Sequence, residues 1–193
     1  IASCLVTSTP LNTEQNLLIK FFQNFNITNL SNCVDIPIDY QNEADIQVKD
    51  VVYEKNEKGF VDILHGRYLV HVHSEEIGTE LIMTFFKCPS GATAFCKDNA
   101  VEVTEELSCK RFLTDNTGPW YMFAPSMDPA NVCARIMGDY EFKGAHLSGN
   151  FIEKYMKVEE GHYRIKMLNH VPGKNMDLRY LRSCVEMDFD ILP

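Results

Sequence analysis

Two stretches near the end of the chain constrain its fold more than any other feature. Gly161-His162-Tyr163-Arg164-Ile165-Lys166-Met167-Leu168 puts Tyr163, Ile165 and Met167 on one face and His162, Arg164 and Lys166 on the other. Ser183-Cys184-Val185-Glu186-Met187-Asp188-Phe189-Asp190-Ile191 repeats the pattern, with Val185, Met187, Phe189 and Ile191 opposite Glu186, Asp188 and Asp190. Alternation with one polar face marks a half-buried antiparallel strand, because successive side chains leave a strand on opposite sides. Between the two lie Pro172, Gly173, Lys174 and Asn175, a composition that turns a chain. The two stretches read as a long hairpin with one apolar face, and Cys184 sits at the start of its second strand.

Upstream, Cys133 is followed by a Gly-x-Tyr pair, Gly138 and Tyr140. A second pair continues as Gly161-x-Tyr163-Arg164-Ile165, and Cys184 then opens the last strand. This order resembles the C-terminal half of the lipid-recognition (ML) domain family, closest to its ganglioside-activator branch and the related insect secreted proteins. The resemblance covers residues 133–193 well and the residues before them in outline. The family often has Cys-Pro before its Gly-x-Tyr strand, whereas Ala134 follows Cys133 here.

The resemblance implies an all-β fold, an immunoglobulin-like antiparallel β-sandwich of two sheets. Its shape is an open cup, and an acyl chain lies in an apolar cavity between incompletely closed sheets. The candidate lining residues are apolar side chains on predicted strands or cysteine-pinned loops. They are Phe85, Trp120, Met122, Phe123, Phe142, Tyr163, Met167 and Phe189. Phe151 and Tyr155 join them on the segment to Glu160, where head-group recognition falls on the rim. For any one of them an ordinary core is the simpler role, and only the set points to a cavity. Met and Phe suit such a wall because they adapt in shape and carry no polar group to strand. The family's bridge between its first and last strands implies Cys33–Cys184. Cys109–Cys133 and Cys88–Cys96 complete the expected set and leave Cys4 unpaired or joined to another chain.

Composition agrees with a secreted β domain. The 193 residues suffice for one substantial core and are few for two. The seven cysteines include no Cys-x-x-Cys, so disulfides in an oxidising compartment fit better than structural zinc. Sequons at Asn26-Ile27-Thr28 and Asn29-Leu30-Ser31 agree with a secreted glycoprotein. A start at Ile1 without Met fits removal of a signal peptide. The expected location is extracellular, or the endosomal-lysosomal lumen. A net charge of −9 argues against nucleic acid, which demands clustered Lys and Arg. No apolar run approaches the ~20 residues that span a bilayer.

Residues 1–32 read as an N-terminal extension, and 33–193 as a single lipid-binding domain. In the extension, Leu17, Leu18, Phe21, Phe22 and Phe25 fall at helical spacing, predicting a short amphipathic helix over Asn12–Phe25. Val34, Ile36, Ile38 and Tyr40 alternate, so Cys33–Tyr53 reads as the first β-segment. Segments Phe60–His73 and Leu81–Cys88 follow after short turns, and the three form an antiparallel meander. Asn99–Leu107 fits either a short helix or a loop, with Glu102, Glu105 and Glu106 on a solvated face. Trp120-Tyr121-Met122-Phe123, framed by Gly118-Pro119 and Pro125, is the densest aromatic cluster and lines the cavity or its mouth.

Catalytic signatures are missing. The chain has no Gly-x-Ser-x-Gly, no P-loop and no His-Glu-x-x-His. His71 and His73 share a strand face, but no third metal ligand follows at a recognisable spacing. No enzyme activity, metal or cofactor is expected. The expected function is binding and carriage of a lipid, glycolipid or other hydrophobic small molecule. The resemblance adds presentation of a glycolipid to a hydrolase, or of a chemical signal to a receptor. The competing reading is a disulfide-stabilised extracellular interaction module with a filled core and no ligand.

Overall fold

A computed structural model describes residues 25–36, 46–70, 79–89, 96, 101–107, 111, 127–128, 138–146, 150–157, 159–171 and 181–192. They form strands β1 (Phe25–Asn32), β2 (Ile46–Lys55), β3 (Val61–Val70), β4 (Thr79–Cys88), β5 (Val101–Leu107), β6 (Met127–Asp128) and β7 (Gly138–His146). A short helix α1 (Asn150–Tyr155) and strands β8 (Gly161–His170) and β9 (Leu181–Ile191) complete the set. One antiparallel sheet has the order β1-β9-β8-β4-β5 and the other β2-β3-β7-β6. The fold is therefore the expected two-sheet antiparallel β-sandwich.

The predicted hairpin is β8–β9, paired from Gly161↔Ile191 to His170↔Leu181. Its apolar face meets the second sheet. Tyr163, Ile165, Met167, Met187 and Phe189 join Leu81, Met83 and Phe85 of β4, and Leu64, Phe142 and Ala145 of the other sheet, in one core. Alternation dictates this packing: each strand contributes every second residue, and burying such a face is the main gain on folding. Gly66 of β3 faces Phe142 of β7 in register, and a Cβ there would stand 2.6 Å from the Phe142 ring. Only glycine lets that ring lie over the strand.

The other face of β9 departs from expectation. Glu186 and Asp188 are only 5% and 3% exposed. β9 is an inner strand, flanked by β1 and β8, so long neighbouring side chains cover its short acids. Arg164 grips Asp188 with two hydrogen bonds of 2.7 and 3.0 Å, and His162 meets Asp190 at 2.5 Å. Lys166 stands opposite Glu186 in register yet donates to Asp35, at 2.6 and 2.7 Å.

Several other expectations are corrected. Strand β1, with Phe25, Ile27 and Leu30 in the core, lies inside the presumed N-terminal extension, so the sheet begins before the boundary drawn at residue 33. The predicted amphipathic helix lies outside the described residues, save that its last residue, Phe25, opens β1. Residue 33 lies past the end of the strand, and residues 34–36 are bends. The Cys33 N–H makes a last bond to the Cys184 carbonyl at 3.2 Å, and Val34 then turns outward, 78% exposed. The meander does not form. β3 pairs with β2 and β7, while β4 crosses to the other sheet between β8 and β5. Residues 101–107 are a strand rather than a helix or loop, because β4 offers an edge along which Val101 and Val103 face Phe85 and Met83.

Candidate functional site

The two sheets come together along β1, which lies against β2 and β3. As an edge strand, β1 presents backbone groups with no ladder partner, and side chains supply one. Asn32 Nδ2 donates to the Val48 carbonyl at 2.8 Å, while the Val48 N–H donates back to Asn32 Oδ1 at 2.9 Å. The Leu30 N–H donates to the Tyr53 hydroxyl at 2.8 Å, and the Val61 N–H to Asn26 Oδ1 at 2.9 Å. That side of the sandwich is stitched shut.

The opposite side, at β4 and β5, is covered by α1, which lies on the crossover from β7 in one sheet to β8 in the other. Asn150 and Glu153 stand three residues apart, the spacing of a helix-starting capping box. Ile152 is buried in the common core, and Tyr155 and Met156 pack against it. The Tyr155 ring lies 5.6 Å from that of Phe85. In the same core, Met83 and Met167 face each other across β4 and β8, and Met187 of β9 stands opposite Ile165.

Glu105 of β5 holds this cover. Its Oε1 accepts from the Tyr155 hydroxyl at 2.8 Å and pairs with Lys154 Nζ at 3.1 Å; its Oε2 pairs with Arg111 Nη1 at 2.6 Å. Burial pushes the Glu105 carboxyl up, but the bonds from Tyr155, Arg111 and Lys154 outweigh it and hold it below the ordinary glutamate value. Burial also raises the Tyr155 phenol. Glu105 was expected on a solvated face with Glu102 and Glu106; those two are exposed, whereas Glu105 shares the inward parity of Val101 and Val103. That parity was visible in the sequence once the segment was taken as a strand.

The expected lining residues divide into three groups. Phe85, Phe142, Tyr163 and Met167 converge between the sheets, at 1%, 1%, 1% and 7% exposure, so they are in contact with one another's neighbours rather than with open space. Tyr155 belongs to the cover, and Phe151 lies on α1. Trp120, Met122 and Phe123 lie outside the described residues. One cavity formed by described residues sits elsewhere, lined by Asn32, Cys33, Ile36, Ile46, Gln47, Leu181 and Cys184. Its volume of ≈ 10 Å³ is room for about one water molecule, not an acyl chain.

Cys33 is bonded to Cys184, with Cα atoms 5.4 Å apart, and Cys88 to Cys96, at 4.3 Å. Cys109, Cys133 and Cys4 lie outside the described residues, as do His71 and His73. Asp35 and Glu186 approach the Cys33 sulfur within 4.8 Å, but that sulfur is committed to Cys184 and is no thiolate ligand. Asn26 and Asn29 both lie on β1. The Asn29 Nδ2 donates to the Ser31 hydroxyl at 3.1 Å. Among the described residues no helix is long and apolar enough to cross a membrane. No family model matches this sequence, and no curated protein matches it.

Proposed function

We propose that this protein binds a lipid or similar apolar molecule between its two sheets and carries it outside the cytosol. The observation that supports the reading most is the group of Met83, Met167 and Met187 in the core that Ile152 of α1 also joins. Thioether side chains repack around a guest at low cost, and each CH₂ of an alkyl chain buried there gains about 0.8 kcal/mol. The order of cysteines and Gly-x-Tyr pairs shared with the lipid-recognition domain family points the same way. Disulfides and two sequons fit secretion.

A second reading is favoured by the near-complete burial of Phe85, Phe142 and Tyr163. On it, the core is filled and the protein is an extracellular interaction module. Native mass spectrometry of protein secreted from eukaryotic cells separates the two. Carriage predicts adducts of lipid mass that organic solvent removes. A clean apoprotein mass that stays unchanged after incubation with fatty acids and glycolipids would establish the filled-core module. Glycosidase treatment of the same sample should remove mass, and replacing Asn26 and Asn29 together with Gln should abolish that change.

A further inference from the structure

We propose that α1 is a lid over the apolar interior, latched by Glu105, and that an acyl chain gains access where the lid lifts from β4 and β5. This rests on the carrier reading above and names its route. The β1 side of the sandwich is closed by paired hydrogen bonds from Asn32, Tyr53 and Asn26, all between strands. Opening there would break these four bonds together. Moving α1 leaves them and both ladders intact: the helix spans six residues and belongs to neither sheet.

The lid is held on two sides of different chemistry. Its inner side is apolar, with Ile152 buried and Tyr155 against Phe85, so lifting it uncovers the apolar core into which a ligand would insert. Its outer side is ionic, with Tyr155 and Lys154 both on the Glu105 carboxylate. Lys154 also lies over the Tyr155 ring, 4.8 Å from its centre. Glu105 is itself steadied by Arg111. A carboxylate on the inward face of an edge strand is costly unless paired. Here its partners are the helix that must move and one neighbouring residue.

The test uses full-length protein and cis-parinaric acid, a fluorescent long-chain fatty acid. Glu105→Gln weakens the latch, and Tyr155→Phe removes one of its bonds. Losing a charged hydrogen bond favours the open lid by about tenfold or more. A six-residue helix lifted from its packing surface does not keep its own hydrogen bonds, so exchange of the Met156 amide, which donates to the Ile152 carbonyl, should rise about tenfold in Glu105→Gln and less in Tyr155→Phe. The association rate of cis-parinaric acid should rise by the same factor, with β8 and β9 amides unchanged. Faster exchange without faster association would place access elsewhere and overturn the proposal while leaving carriage intact. Unchanged exchange, or exchange raised throughout β8 and β9, would show that Glu105 is no latch. A wild-type protein that binds no cis-parinaric acid would overturn the carrier reading and the route with it.

Discussion

Among the described residues Glu186 is, with Asp188, one of two buried acids. It is buried on an inner strand, and Arg164 and Lys166 beside it donate to Asp188 and Asp35 instead. Burial pushes its carboxyl above the ordinary glutamate value; Arg164 and Lys166 pull it down, and Asp35 and Asp188 push it further up. A raised carboxyl pKa means that the folded state prefers the protonated form. Its contribution to stability is fully present below the ordinary glutamate value of 4.5 and is lost as pH rises through the folded value. Glu186→Gln should raise the urea midpoint at pH 7.5, and the gain should shrink as pH falls towards 4.5. An equal gain at both pH values would assign the effect to something other than ionisation. Glu105 acts in the opposite sense: its lowered pKa gives stability that is present above the ordinary value and lost as pH falls below it.

At the scale of elements, the two disulfides constrain very different lengths of chain. Cys33–Cys184 closes a separation of 151 residues, and Cys88–Cys96 one of 8. The entropy removed from the unfolded chain grows with loop length. Replacing the first pair with serine should therefore cost more, about 4–5 kcal/mol against about 2–3 for the second. Equilibrium denaturation of the two double variants checks the ranking. A larger loss from the short loop would mean that native-state strain, not chain entropy, dominates. The first bridge has a further effect, since it fastens the end of β1 to β9 where the β-ladder stops and the chain turns outward.

For the whole molecule, the side-chain bonds along β1 join sheets that share no ladder. Asn32 is the clearest case, because its amide satisfies both backbone groups of Val48 as a neighbouring strand would. Asn32→Ala should destabilise the protein by about 1–3 kcal/mol, through two lost hydrogen bonds and a half-buried backbone left unpaired. Asn32→Asp keeps an acceptor for the Val48 N–H but offers the carbonyl no donor, so it should also destabilise. If both variants melt with the wild type, the Asn32 bonds do not hold the sheets together.

The hairpin β8–β9 was legible because it is local: alternation and a turn-forming loop define it without reference to the rest of the chain. The faces of β4 and the core roles of Phe85, Phe142, Tyr163 and Met167 were legible for the same reason, since parity along a strand decides which side is apolar. Strand partners were not. β4 sits between β8 and β5 rather than beside β3, because pairing is settled by which apolar faces can cover one another, and alternation carries no such information. β1 was missed because a bulge between Ile27 and Asn29 breaks its period. Whether the apolar residues enclose space or fill it was likewise beyond the sequence. The same alternation serves a cup and a packed core, and only the distance between sheets and the seat of α1 tell them apart. Glu105 and Glu186 make the same point for charge: their residue type reads as solvated, and burial by neighbours distant in sequence decides otherwise.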